Sequence, residues 1–139
     1  MAYRGYLIKI GNYIFPLSMI KAESYKATNY GQDLDSTRDV NGILHRTALE
    51  NTAPKVEFET RNMLDNTQVS SIFANIQANY TNAVEKKASV EVYVPELNKY
   101  VTSDMYMADF EPTMYFADEK EIKYLSTRMA WISYGVKTV

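Results

Sequence analysis

Few residues in this chain have the chemistry of an active site, so their spacing can be checked one by one. There is one histidine, His45, and it stands beside Arg46. There are no cysteines, which excludes disulfides and thiolate metal sites. A serine nucleophile would need His45 as its base, and no serine sits in a Gly-x-Ser-x-Gly turn. His45 therefore reads as a packing or surface residue. Asp33, Asp35 and Asp39 look like the start of a calcium loop, which needs glycine at its sixth position and glutamate at its twelfth. Counted from Asp33 those positions are Arg38 and Leu44, and counted from Asp35 they are Val40 and Arg46. The short acids read instead as hydrogen-bonding their own loop backbone, with Asp39 paired to Arg38 or to a partner. Glu57 and Glu59 share a strand face with Lys55 and Arg61, the pattern of a charge-neutralised solvated surface rather than of an acid/base pair. The glycines stand apart at 5, 11, 31, 42 and 135, so no phosphate-cradling loop forms. Asn79-Tyr80-Thr81 matches a glycosylation sequon, but it falls in a predicted helix of a chain with no secretory signal. The expectation is a non-enzymatic chain without metal or cofactor.

The composition sets the frame for these residues. With 139 residues, 46% of them hydrophobic and 23% charged, a single domain over 1–139 is expected, with a core that needs no staples. Fifteen basic and seventeen acidic residues leave a net charge of −2, without the basic excess of a nucleic-acid binder. No run of about 18 apolar residues marks a membrane span, and the chain reads as made in the cytoplasm. Twelve tyrosines and seven methionines suit half-buried strands and also subunit interfaces.

The pattern predicts an α+β, mostly β architecture. A hairpin is predicted over 3–19, turning at Gly11-Asn12 in a type II′ turn, with Tyr13, Phe15, Leu17 and Met19 on one face of its second strand. An extended piece follows over 22–31, then a polar loop over 32–42 in which Asn41-Gly42 sets a turn. Strands are predicted over 43–49 and 55–61, with a turn at 51–54 between them. Val56, Phe58 and Thr60 share the second strand's inner face. Val69, Ile72, Phe73, Ile76 and Tyr80 form one stripe of an amphipathic helix over about 67–84, capped by Asp65 with Gln68 in a capping box. Val90, Val92 and Val94 alternate in a strand that Pro95 ends. An extended pair occupies 98–110, a short aromatic piece 112–117 and a charged turn 118–121. The longest predicted strand runs over 122–134, mixed on both faces and covered on both, in part by a neighbouring subunit. These elements predict an antiparallel β-sandwich or half-open barrel with one flanking helix.

The polar stretch from Asp33 to Arg46 is where the chain resembles a known group. Asp35, Arg38, Gly42, Leu44 and Arg46 fall in an Asp-x-x-x-Arg-x-x-x-Gly-x-Leu-x-Arg spacing. It is followed by the alternating strand 55–61, the helix, the strand Val90 to Pro95 and a strand containing Tyr106. This order is similar to that of short tail proteins of long-tailed phages and prophages. The segment 104–108 departs from that pattern, lacking the glycine expected before the tyrosine strand. The resemblance implies a structural virion protein of the tail, made in the host cytoplasm, forming tail tube or tip/baseplate. It implies copies of the chain in a ring, a hexamer or other cyclic oligomer, beside adjacent tail proteins. DNA would pass through the lumen without specific binding. Asp35, Arg38, Asp39, Asn41, Gly42 and Arg46 are then candidates for contact between subunits, with Arg38 paired to a partner carboxylate. The competing expectation is a carbohydrate-binding β-sandwich module that uses exposed tyrosines and Trp131.

Overall fold

A computed structural model describes residues 3–137. In chain order the strands are β1 (Ile8–Ile10), β2 (Tyr13–Ile14), β3 (Lys26–Tyr30), β4 (Asp33–Arg38), β5 (Leu44–Ala48), β6 (Asn51–Glu59) and β7 (Leu64–Asp65). Helix α1 (Asn66–Ala78) comes next, then β8 (Lys87–Val94), β9 (Lys99–Met107), β10 (Met114–Ala117), β11 (Ile122–Tyr124), β12 (Arg128–Ser133) and β13 (Val136–Lys137). The largest sheet runs β13-β6-β12-β9-β8-β1-β2, with β3 also paired to β6. A small sheet runs β10-β11-β7, and β4 and β5 form a third sheet by themselves. The described strand pairs are antiparallel, so the chain is mostly β with one helix, as its patterning predicts.

Register turns sequence alternation into a core. Ala27, Val56, Trp131 and Met107 lie side by side across four strands, and all four are buried. Further along β9, Ile8, Val92 and Val101 align across β1, β8 and β9. Because side chains alternate faces along a strand, Ala88, Val90, Val92 and Val94 all point inward and are fully buried. The sheet curls until its β3 edge nears β8. There the Tyr25 hydroxyl donates to the Tyr93 carbonyl at 2.6 Å, and the Asn29 amide donates to the Glu96 carboxylate at 2.6 Å. Burial pushes the Tyr25 phenol well above its ordinary range. These bonds occupy backbone groups of a strand edge, the part of a sheet most prone to pairing with the wrong chain.

Helix α1 lays Ile72 and Ile76 fully on this core, with Val69, Phe73 and Tyr80 packed against it. Its start is as predicted: the Asp65 carboxylate accepts the Gln68 amide at 2.8 Å, and the Gln68 side chain accepts the Asp65 amide at 3.1 Å. Its end is earlier than predicted, at Ala78 rather than near 84. Asn79 stops it. Its side chain binds back to the Asn75 carbonyl at 2.8 Å and accepts the Asn12 amide at 3.0 Å, tying the helix to the β1–β2 turn. Asn82 then accepts the amides of Val84 and Glu85, a side-chain turn that competes with helix. The β1–β2 turn itself is as predicted, with Gly11 at φ 59 and its second residue outside the left-handed region. A Cβ at Gly11 would lie 2.4 Å from Asn79 Oδ1, so the site admits only glycine.

Five other predicted elements differ. The second hairpin strand, expected to 19, ends at Ile14; Pro16 has no N–H to continue the ladder, and Leu17–Met19 form a 3-10 turn. Residues 22–25 turn about Glu23, at φ 68, before β3 begins. The predicted loop over 32–42 is largely strand β4 and its turn, because β5 supplies a partner. The predicted turn at 51–54 is the start of β6. Pro54 is tolerated there because it falls between the reach of β12, which ends opposite Lys55, and that of β13, which starts opposite Thr52. The long strand over 122–134 is broken at 125–127, where the Thr127 amide donates to the Thr60 hydroxyl at 3.0 Å. Its first piece joins the small sheet and its second the large one. Met129, Ala130 and Trp131 are covered within the one chain, without a neighbouring subunit.

Candidate assembly surfaces

The β4–β5 hairpin is an arm. Its strands pair in register Ser36↔Arg46, Thr37↔His45 and Arg38↔Leu44, and from Asp35 to Glu50 every residue is exposed. The arm leaves the body where the Leu49 amide donates to the Gln32 carbonyl at 2.8 Å, beside the first residue of β6.

All six residues that the resemblance offers as subunit contacts lie on this arm. Asp39 organises its tip. One carboxylate oxygen accepts the amides of Asn41 at 2.9 Å and Ile43 at 3.0 Å, and the other meets His45 Nε2 at 3.1 Å. Arg38 Nη1 donates to the Gly42 carbonyl at 2.9 Å, and Gly42 takes φ 81, which favours glycine. Asp35 and Arg46 sit in the ladder opposite Thr47 and Ser36. The polar residues therefore fix the shape of the tip. What the tip offers a partner is apolar: Val40 is 101% exposed, Ile43 is 58% exposed and Leu44 is exposed beside them, while Leu49 is exposed at the arm's base. The candidate contacts, chosen for charge and turn chemistry, left these four out, although Leu44 falls in the quoted spacing. The available signal was an apolar residue, Val40, placed directly before an Asn-Gly turn.

The Asp39 carboxyl is held below its ordinary value, first by His45 and then by the backbone amides. A lowered folded pKa means that the contribution is present above the ordinary carboxylate range and is lost as pH falls through the folded value. The amide resonances of Asn41 and Ile43 are accordingly expected to titrate together with a midpoint below 3.8, the ordinary value. Asp39→Asn should abolish that transition. NMR spectra collected across a pH series check this.

A second exposed apolar surface lies on β10. Met114, Tyr115 and Phe116 are 57%, 59% and 51% exposed. Among the described residues β10 pairs with β11 alone, so its outer edge carries no strand of these. Acidic residues flank it together with Lys120, and Lys123 pairs in register with Phe116. Asp118 is spent on its own turn, accepting the Lys120 and Glu121 amides at 2.8 Å each, while Glu111 and Glu119 are exposed.

The pair Glu57 and Glu59 lies on the outer face of β6. Arg128 donates to one Glu57 oxygen through Nε at 3.0 Å and Nη2 at 2.7 Å, and Lys26 and Lys55 stand 3.5 and 3.8 Å away. Arg128 above all holds the Glu57 carboxyl below its ordinary range. Glu59 pairs with Lys21 at 3.7 Å. The arginine that matters most, Arg128, comes from a strand about seventy residues away, which local spacing does not reveal. Trp131, invoked for sugar stacking, is fully buried and not available to a ligand, which overturns that part of the carbohydrate-binding expectation.

A family model described as "Family of unknown function (DUF6711)" matches residues 1–134. The chain belongs to this family. No curated protein matches the DUF6711 chain. It is similar to a chain in a solved structure described as "Tail of empty GTA particle computed with helical refinement, C6 symmetry", at 13% identity and a TM-score of 0.48, over 99% of this chain and 100% of that one.

Proposed function

We propose that this DUF6711 chain is a structural subunit of a phage-type tail, assembling with copies of itself into rings as tail tube or as a tip/baseplate component around a DNA channel. The observation that carries the reading is the arm. It is a hairpin rigidified by its own side chains, paired to nothing else among the described residues, with large apolar residues at its tip. Soluble monomers rarely hold such residues out on a projecting element without a surface to cover them. Two unlike surfaces, arm and β10, also suit the heterologous contacts from which rings and tubes are built. The spacing of Asp35, Arg38, Gly42, Leu44 and Arg46 points the same way through its resemblance to tail proteins. The acidic balance suits a channel that lets DNA pass without gripping phosphate. Negative-stain electron microscopy of the purified protein at rising concentration, with light scattering alongside, tests it. Rings or tubes of uniform diameter are expected. A chain that stays monomeric throughout overturns the self-assembling subunit.

A further inference from the structure

The arm tip carries the one asparagine of the chain that precedes a glycine, Asn41 before Gly42; every other asparagine is followed by a residue with a side chain. Elsewhere a carboxamide of this type is tethered: Asn79 and Asn82 each donate and accept through theirs. The Asn41 carboxamide makes no hydrogen bond among the described residues, and both Asn41 and Gly42 are exposed. Asparagine is a thermolabile residue, because the backbone nitrogen after it can attack its side chain. A side chain on the following residue crowds that attack, and glycine has none.

The backbone here is held, however, and Asp39 holds it. The Asp39 carbonyl accepts the Gly42 amide at 3.0 Å, so the nitrogen that must attack is a bound donor. One Asp39 carboxylate oxygen accepts the Asn41 amide at 2.9 Å and the Ile43 amide at 3.0 Å, fixing the chain on both sides of the pair. The Asp39 amide in turn donates to the Ile43 carbonyl at 2.9 Å, closing the turn.

We propose that Asn41 is a site of spontaneous covalent modification, and that Asp39 sets its pace by clasping the turn. When the clasp opens, solvent base takes the Gly42 amide proton and the nitrogen attacks the Asn41 side-chain Cγ. A C–N bond forms, the carboxamide C–N bond breaks, and ammonia leaves with a proton from water. Water then opens the resulting cyclic imide. Addition at the side-chain carbonyl leaves aspartate, and addition at the backbone carbonyl leaves isoaspartate, with the chain rerouted through the side chain. Nothing is oxidised or reduced. Either product puts a new carboxylate between Val40 and Ile43, and isoaspartate also lengthens the backbone of a turn closed by the Asp39–Ile43 pair. Resting on the tail-subunit reading, the consequence is that copies left unassembled lose the apolar tip by which they would assemble.

The full chain is incubated for days at mildly alkaline pH, in buffer and in denaturant, then mapped by peptide mass spectrometry with an isoaspartate-specific methylation assay. The folded chain is expected to exchange amide for acid at Asn41 and at no other asparagine, more slowly than the denatured chain. Asp39→Ala, which loses the carboxylate half of the clasp, should convert several-fold faster than the parent. Asn41→Gln, which needs a larger ring, should not convert. A folded parent that stays unconverted, conversion at a different asparagine, or equal rates in parent and Asp39→Ala would each overturn the proposal. Converted chain, separated by its added negative charge, should scatter less light than fresh chain at the same concentration, and equal scattering overturns the consequence for assembly. Fresh chain that forms no particles removes the tail-subunit reading, and the masses still decide the modification.

Discussion

A chain in which residues 34–47 are replaced by an Asn-Gly turn between Asp33 and Ala48 is expected to fold to the same body and to form no particles at any concentration. The two flanking residues are already cross-strand partners, and Asn-Gly is the two-residue turn that joins antiparallel strands most readily. The body should not notice the loss. Among the described residues the arm contributes none to the buried core, and its strands pair with no other sheet. The melting temperature should therefore stay within a few degrees of the parent, since about 1 kcal/mol moves a domain of this size by only a few degrees. Calorimetry for the fold and light scattering for assembly give the two readouts. Particles formed by the shortened chain would show that the arm is not the assembly element.

The largest effect on stability is expected at Phe58. It is buried on the inner face of β6, its ring 5.1 Å from Phe15 in an edge contact and 6.5 Å from Tyr25 in a stacked one. Phe58→Ala removes the centre of that trio and leaves a cavity bounded by strands that cannot close over it. Such truncations cost about 3–5 kcal/mol, a large part of the roughly 5–15 kcal/mol by which a domain is stable. The melting temperature should fall by roughly 10–20 °C. Val40→Ala, an equally apolar truncation at a fully exposed site, should leave it unchanged. Calorimetry of the two variants side by side checks the contrast.

What was legible in the sequence follows from how local each signal is. The inner face of β8 could be read because alternation is a property of neighbouring residues, and Ala88 to Val94 obey it without a break. The start of α1 could be read because Asp65 and Gln68 are three residues apart and bond reciprocally. Its end could not. The residue that stops it, Asn79, does so by reaching the β1–β2 turn far back in the chain. The arm was half legible. Asn41-Gly42 marked its turn, but the residues from Asp33 to Arg38 are polar apart from Leu34 and show no alternation, so nothing local distinguished strand from loop; β5 makes them a strand. The same polarity drew attention to Arg38 and Asp39 as contacts, although both spend bonds inside the arm. The break at 125–127 was hidden because each half is a good strand by itself. Only the competition between two sheets for the halves divides them.

Trp131 has a use that follows from where it sits. It is the one tryptophan of the chain, fully buried in the main sheet, with an indole N–H that finds no acceptor among the described residues. Twelve tyrosines surround it in the sequence, and several of them lie on the same sheet. The molecule thus carries a single tryptophan emitter in a dry apolar setting, fed by tyrosine light absorption. Its emission colour is set by the fold alone, and its rate of tumbling by the size of whatever particle the fold is part of. One cuvette can therefore follow both events, with blue-shifted intensity reporting that the chain is folded and slow polarisation decay reporting that it has joined other copies.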